Sequence, residues 1–198
     1  MPSLWSRIKE NLLYLFLLVC NLAIKGASAA YVLETSAFSW PAVRGQPQLR
    51  QPPYPGGLFV TEEMTLIVAS VALGWELVKT VVLFYTMVFR EMDPRQLPKP
   101  ALFAIGVVEL AVTACFVALL RMQAAYTPGS CKHADEWRFD ADGVPSLFAV
   151  LAQHWPVHAK KMTAQSVCTL FIVRRTSEIV YTYAAFSFFI FFFFSLPG

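Results

Sequence analysis

Four long apolar stretches, separated by polar and proline-rich segments, dominate the pattern along this chain. A hydrocarbon core of roughly 30 Å takes about 20 residues of apolar helix to cross. Lipid offers no partner to a backbone N–H or C=O, so each crossing must be helical. The stretches are 12–33, 64–89, 101–120 and 179–196. The last carries an almost unbroken phenylalanine tract from Phe188 to Phe194. The pattern predicts an all-α polytopic membrane protein, a bundle of four transmembrane helices formed by residues 1–198 as one membrane domain.

Stretch 12–33 has a second reading. Arg7 and Lys9 precede an apolar run, and Ala27-Ser28-Ala29 fits a small-residue cleavage site, as in a secretory signal peptide. The apolar pattern resumes past that site, which favours a retained helix over a cleaved leader. Basic residues beside spans favour the cytoplasm. Arg7 and Lys9 before span one, and Arg90, Arg95 and Lys99 between spans two and three, therefore put both termini inside. The fourth stretch runs almost to Pro197-Gly198, which leaves open whether a tail follows.

Two connections are long. Residues 34–63 contain Pro41, Pro47, Pro52, Pro53, Pro55, Gly56 and Gly57, and read as an irregular exterior loop. Residues 121–178 form a larger loop with an acidic first half. There Val144, Leu147, Phe148, Leu151 and Trp155 recur at helical spacing behind Pro145, and predict a short interfacial helix over 145–155 that ends at Pro156. Ala164 to Val173 is a further helical stretch. Arg174 and Arg175 follow it and are expected near the exterior interface, snorkelling toward phosphates.

Composition sharpens this picture. The 198 residues are 57% hydrophobic and 15% charged, with a formal net charge of +3. A soluble domain carries about a quarter charged residues, so a soluble enzyme is disfavoured. The small, scattered positive charge gives no footprint for nucleic acid. The expected partner is the lipid bilayer, with other membrane proteins or a second copy of the chain beside it. The location is a membrane, plasma membrane or endomembrane alike.

The charges inside the apolar stretches are the candidate functional residues: Lys25, Glu76, Lys79 and Glu109. An ionised side chain at mid-bilayer costs about 2.5–3.5 kcal/mol on insertion scales. From the helical rise, Glu109 and Lys79 lie about 12 and about 15 Å above the inner boundary. Glu76 lies roughly 18 Å, and Lys25 roughly 10–12 Å, from the outer one. The four sum to zero, and Glu76 and Lys79 share one helix face. A neutral network linking spans one, two and three follows. It is either structural glue or an ion or proton relay, and glue is preferred because Asn21, Ser70, Thr80 and Thr113 form no obvious polar stripe.

Cys131 and Cys168 both fall in the large loop, where they bridge if the loop faces an oxidising compartment and stay free otherwise. Cys20 and Cys115, within spans, are expected to be small buried hydrophobes. His154 and His158 flank Pro156, and Cys131 lies near His133, but neither pattern builds a convincing zinc site. Asp140-Ala141-Asp142-Gly143 lacks the distal glutamate of a calcium loop and reads as a turn. No phosphate loop or catalytic motif is present. Neither a metal nor a cofactor is expected, and no catalytic residue is assigned.

Four spans in under 200 residues, a large second exterior loop with Cys131 and Cys168, polar Asn21 and small Gly26 in span one, and the run Tyr183-Ala184-Ala185-Phe186-Ser187-Phe188 opening the last span carry a resemblance. The chain resembles the MARVEL-like tetraspan membrane proteins of fungal type. That resemblance implies a non-enzymatic role in membrane organisation or trafficking, with no catalytic residues to carry over. The alternative is a small transporter or channel subunit that uses the intramembrane charges.

Overall fold

The computed structural model describes residues 12–50, 54, 57–90, 97–134, 146–155 and 162–194, with no account of the side chains of residues 50, 189 and 191–194. Among the described residues every regular element is helical. Helix α1 spans Leu12–Arg44, α2 Leu58–Phe89 and α3 Lys99–Gln123; these three are long and apolar enough to cross a membrane. A short α4 covers Leu147–Gln153, and α5 covers Ala164–Phe194. A single 3₁₀ turn, Pro47–Arg50, lies between α1 and α2.

The four long helices pack antiparallel to their chain neighbours. Buried positions on α1 include Leu18, Asn21, Lys25, Ser28, Val32, Thr35, Ser39 and Ala42. On α2 they include Leu58, Glu62, Thr65, Ala69, Ala72, Glu76, Lys79 and Leu83. Alternating steps of three and four residues are the signature of a heptad seam, in which side chains from facing helices interdigitate. Helix α3 keeps the step with Glu109, Val112, Phe116, Leu119 and Gln123, and α5 with Phe171, Arg174, Glu178, Tyr181 and Ala185.

The seam thus holds polar and charged residues among apolar ones, while the outward face is largely apolar. Val71, Val78, Val81 and Phe84 on α2, Phe103, Val107 and Leu110 on α3, and Tyr183 and Phe186 on α5 are exposed. In water that arrangement would be costly; in lipid the outward face rests in hydrocarbon and the ionised groups turn to one another. Cys115 belongs to the outward face and Cys20 is half-buried, so neither is the fully buried small hydrophobe expected from its span.

Helix α1 is longer than the 12–33 stretch predicts, and residues 34–44 are helical instead of irregular. Pro41 sits inside the helix. Its ring normally costs about 3 kcal/mol by removing a donor and crowding the carbonyl four residues earlier. Here both Pro41 and Ala37, which carries that carbonyl, are exposed, and the opposite face buries Ser39, Ala42 and Val43. Packing overrides the local preference. Helix α1 also contains a π-helical turn, Leu22–Gly26, immediately before Ala27–Arg44.

Beyond the bundle, a second apolar cluster joins Val43, Leu49, Leu58, Tyr126, Leu147, Phe148, Leu151, Val167 and Phe171. The face of α4 with Leu147, Phe148, Val150 and Leu151 is fully covered by this cluster. Ser146 stands at its N-cap and donates its hydroxyl to the Ala134 carbonyl at 2.5 Å. Pro145 and Pro156, the predicted ends of this helix, lie outside the described residues. So do His158 and the 140–143 turn.

Candidate functional site: two buried charge clusters

Lys25 lies within the π-helical turn and on the seam, fully buried. Such turns are frequent at functional sites. Lys25 Nζ lies 2.5 Å from Glu76 Oε1 and 2.6 Å from Glu109 Oε2. Lys79 Nζ lies 2.6 Å from Glu76 Oε2, one helical turn away on its own helix, and also pairs with Glu109 Oε1. Each ammonium therefore bridges both carboxylates, and each carboxylate oxygen has a cation. The result is a closed, neutral ring of four charges from α1, α2 and α3, none more than 2% exposed.

Neutral groups complete it. Asn21 donates to Glu76 Oε2 at 3.4 Å, and the Tyr181 hydroxyl donates to Glu76 Oε1 at 3.1 Å. Helix α5 adds aromatic faces, with Lys25 5.0 Å from the Tyr181 ring centre and Lys79 4.8 Å from that of Phe188. Cations over aromatic faces gain more when water is excluded. Of the other polar residues singled out in the spans, Ser70 and Thr113 bond carbonyls of their own helices, and Thr80 makes no side-chain hydrogen bond.

A second cluster lies 14 residues further along each helix. On α1 the step leads from Lys25 to Ser39, on α2 from Glu76 back to Glu62, and on α3 from Glu109 to Gln123. On α5 it leads from Phe188 back to Arg174. Fourteen residues are nearly four turns, or about 21 Å, so both levels share the seam. Arg174 was expected at the interface; instead it is 1% exposed and grips Glu62 with both terminal nitrogens, at 2.6 and 2.7 Å. A planar guanidinium matches a carboxylate in this two-bond geometry, and a buried acid pairs more strongly with it than a phosphate across water does.

Ser39 accepts from Arg174 at 3.2 Å and donates to Glu62 at 2.5 Å. Tyr126 donates to Glu62 at 2.9 Å. Burial first, and then the Glu62 carboxylate, hold the Tyr126 phenol well above its ordinary value. The Phe171 ring lies 4.4 Å from the guanidinium carbon. Gln123 donates to Glu178 at 2.8 Å and to Thr65 at 3.3 Å. The sequence reading missed this level. Its signal is the 14-residue echo of the polar seam, hidden because Ser39, Glu62 and Gln123 fall just outside the apolar stretches.

Between the levels, Val32, Ala69, Phe116 and Tyr181 form a tightly packed layer, all fully buried. Phe116 and Tyr181 pack with ring centres 4.6 Å apart and planes tilted by 45°. Apart from the Tyr181 hydroxyl this layer is apolar.

Cys131 and Cys168 form a disulfide, with Cα atoms 5.8 Å apart. It ties the segment after α3 to the first turn and a half of α5. Among the described residues no group of three or more His, Cys, Asp or Glu side chains converges as a metal site.

No family model, curated protein or solved structure matches the chain. Three helices of spanning length and composition mark it as a membrane protein, and the arrangement of its buried charges must speak for the rest.

Proposed function

We propose that this chain is a four-span integral membrane protein with a non-enzymatic, structural or membrane-organising role, in which two buried charge clusters fix the helices in one register. Helix α5 supplies the fourth span through its apolar half from Ile179 onward. The short α4 covers the end of the bundle, where it would meet headgroups. The reading takes in the MARVEL-like resemblance and a place in the plasma membrane or endomembranes. The partners are lipid and neighbouring membrane proteins.

The observation that carries the reading is the closed ring of Lys25, Glu76, Lys79 and Glu109. A transported ion needs a free coordination position or a group that changes partners. Here every carboxylate oxygen and both ammonium groups are engaged, and an apolar layer stands on the side toward Arg174. Retaining Lys25 in the ring also argues for an uncleaved first helix, since cleavage after Ala29 would remove both Lys25 and Asn21.

A proton-conducting subunit is the competing reading, and the Tyr181 hydroxyl on Glu76 is the feature that favours it. Purified protein in sealed lipid vesicles separates the two. Vesicles with a pH gradient should leak no faster than protein-free controls. Proton flux that disappears in Glu109→Gln would overturn the structural reading.

A further inference from the structure

The second cluster differs from the first in its charge count. Glu62 and Arg174 neutralise one another through two hydrogen bonds, and Glu178 is then left over. Glu178 is completely buried. Arg174 Nε approaches Glu178 Oε1 only to 3.8 Å and makes no hydrogen bond. Ionised, Glu178 would bring a net negative charge into a closed interior, a costly arrangement.

Two oxygens in this cluster lack hydrogen-bond partners among the described residues: Glu178 Oε2 and Gln123 Oε1. They belong to the two side chains already joined by the Gln123 amide donating to Glu178 Oε1. The amide's other hydrogen is directed to Thr65, whose own hydroxyl is given to the Thr61 carbonyl. Turning the amide over would set Gln123 Oε1 against Glu178 Oε1, two acceptors face to face. In either orientation one proton is missing, and a protonated carboxyl supplies it.

We propose that Glu178 is a proton-binding site: in the packed bundle its carboxyl is neutral and donates through Oε2 to Gln123 Oε1, closing a two-bond acid–amide pair between α5 and α3. The groups facing it are Gln123 on α3 and Tyr126 just beyond, Glu62 on α2, and Arg174 and Arg175 on its own helix. Arg174 is committed to Glu62 and Ser39. Arg175 is half-buried, with no partner for its Nε. Glu62 disfavours a second negative charge nearby. Glu178 lies just before the 179–196 stretch, and burial pushes its carboxyl up to about 7 against the pull of Arg174.

The sign of the pH dependence follows. The folded chain holds this proton more tightly than the unfolded chain. The stabilisation is complete below the ordinary carboxyl value and is lost as pH rises through about 7. The proton leaves to solvent, and the ionised carboxylate then pulls on Arg174 and loosens the α3–α5 contact.

The test is thermal unfolding of the full chain in mild detergent between about pH 4 and about pH 8.5, spanning the ordinary and raised carboxyl values. The wild-type midpoint should fall by several degrees across this range. Glu178→Gln, which mimics the neutral acid, should match wild type at the acidic end and lose the decline. A wild-type midpoint that does not fall with pH, an equal decline in Glu178→Gln, or a Gln variant destabilised at every pH would overturn the proposal. Infrared spectroscopy of the wild-type chain gives a reading that does not depend on the variant folding. A protonated-carboxyl stretch should be present near pH 6, where exposed carboxyls are ionised, and vanish at the alkaline end. Its absence near pH 6 would equally overturn it.

Discussion

Glu62 and Glu76 stand 14 residues apart on one face of α2, and each is the acidic centre of a different buried charge cluster. Glu76 shares two lysines with Glu109 in a ring drawn from three helices. Glu62 holds one arginine from α5, 112 residues away in sequence. Helix α2 is thus the common partner of all three other long helices, and its two glutamates set the register of the bundle at two levels.

The ring makes its members interdependent. Lys79→Met alone should lower stability in detergent by about 3–5 kcal/mol, because Glu76 and Glu109 are left short of a cation in a closed interior. Glu109→Gln alone should cost a comparable amount. The double variant should cost clearly less than the two together, as removal of both charges restores neutrality. Equilibrium unfolding of the three variants measures the coupling, and strict additivity would contradict the pairing.

The second level depends on fork geometry. Arg174→Lys should destabilise almost as much as Arg174→Met, since an ammonium cannot replace two parallel bonds to Glu62. Tyr126→Phe should cost about 1 kcal/mol by leaving a Glu62 oxygen without one of its donors. In an ultraviolet pH titration, the wild-type minus Tyr126→Phe difference should show no phenolate near pH 10, where exposed tyrosines ionise, because burial and Glu62 hold this phenol protonated.

The apolar layer between the levels should tolerate little added volume. Ala69 is fully buried among Val32, Phe116 and Tyr181. Ala69→Leu should cost about 1–3 kcal/mol by overpacking. Gly74, one turn and a half along the same helix, has open space where a Cβ would stand. Gly74→Ala should stabilise by about 0.5–1 kcal/mol through helix propensity. Paired thermal melts distinguish the two sites.

The disulfide closes a segment of 37 residues that includes α4. Chain-entropy arguments give such a cross-link about 4 kcal/mol. Cys131→Ser should lower the unfolding midpoint and expose the 147–153 helix to limited proteolysis. The wild-type chain should shift in mobility under denaturing conditions when a reductant is added.

Much of this was legible in the chain itself. Apolar runs of spanning length dictate helices in lipid because no other structure satisfies the backbone there, and three of the long helices follow from that alone. The charges at Lys25, Glu76, Lys79 and Glu109 stand out because each interrupts such a run. The helical extension through Pro41 and the π-helical turn at Leu22–Gly26 were not legible. Local preference opposes the one and is silent about the other, and only packing against neighbouring helices decides them.

By itself, then, the sequence determined that the chain is helical, that it seeks a membrane and that its few intramembrane charges cancel. Only the tertiary structure decided their partners: that Lys25 reaches both glutamates, that Arg174 is buried against Glu62 instead of facing phosphates, and that Glu178 is buried beside an Arg174 already committed to Glu62. The reason is one of range. Burying apolar length in lipid is a property of each segment, whereas an ion pair forms between side chains as many as 112 residues apart that only the folded bundle brings within 3 Å.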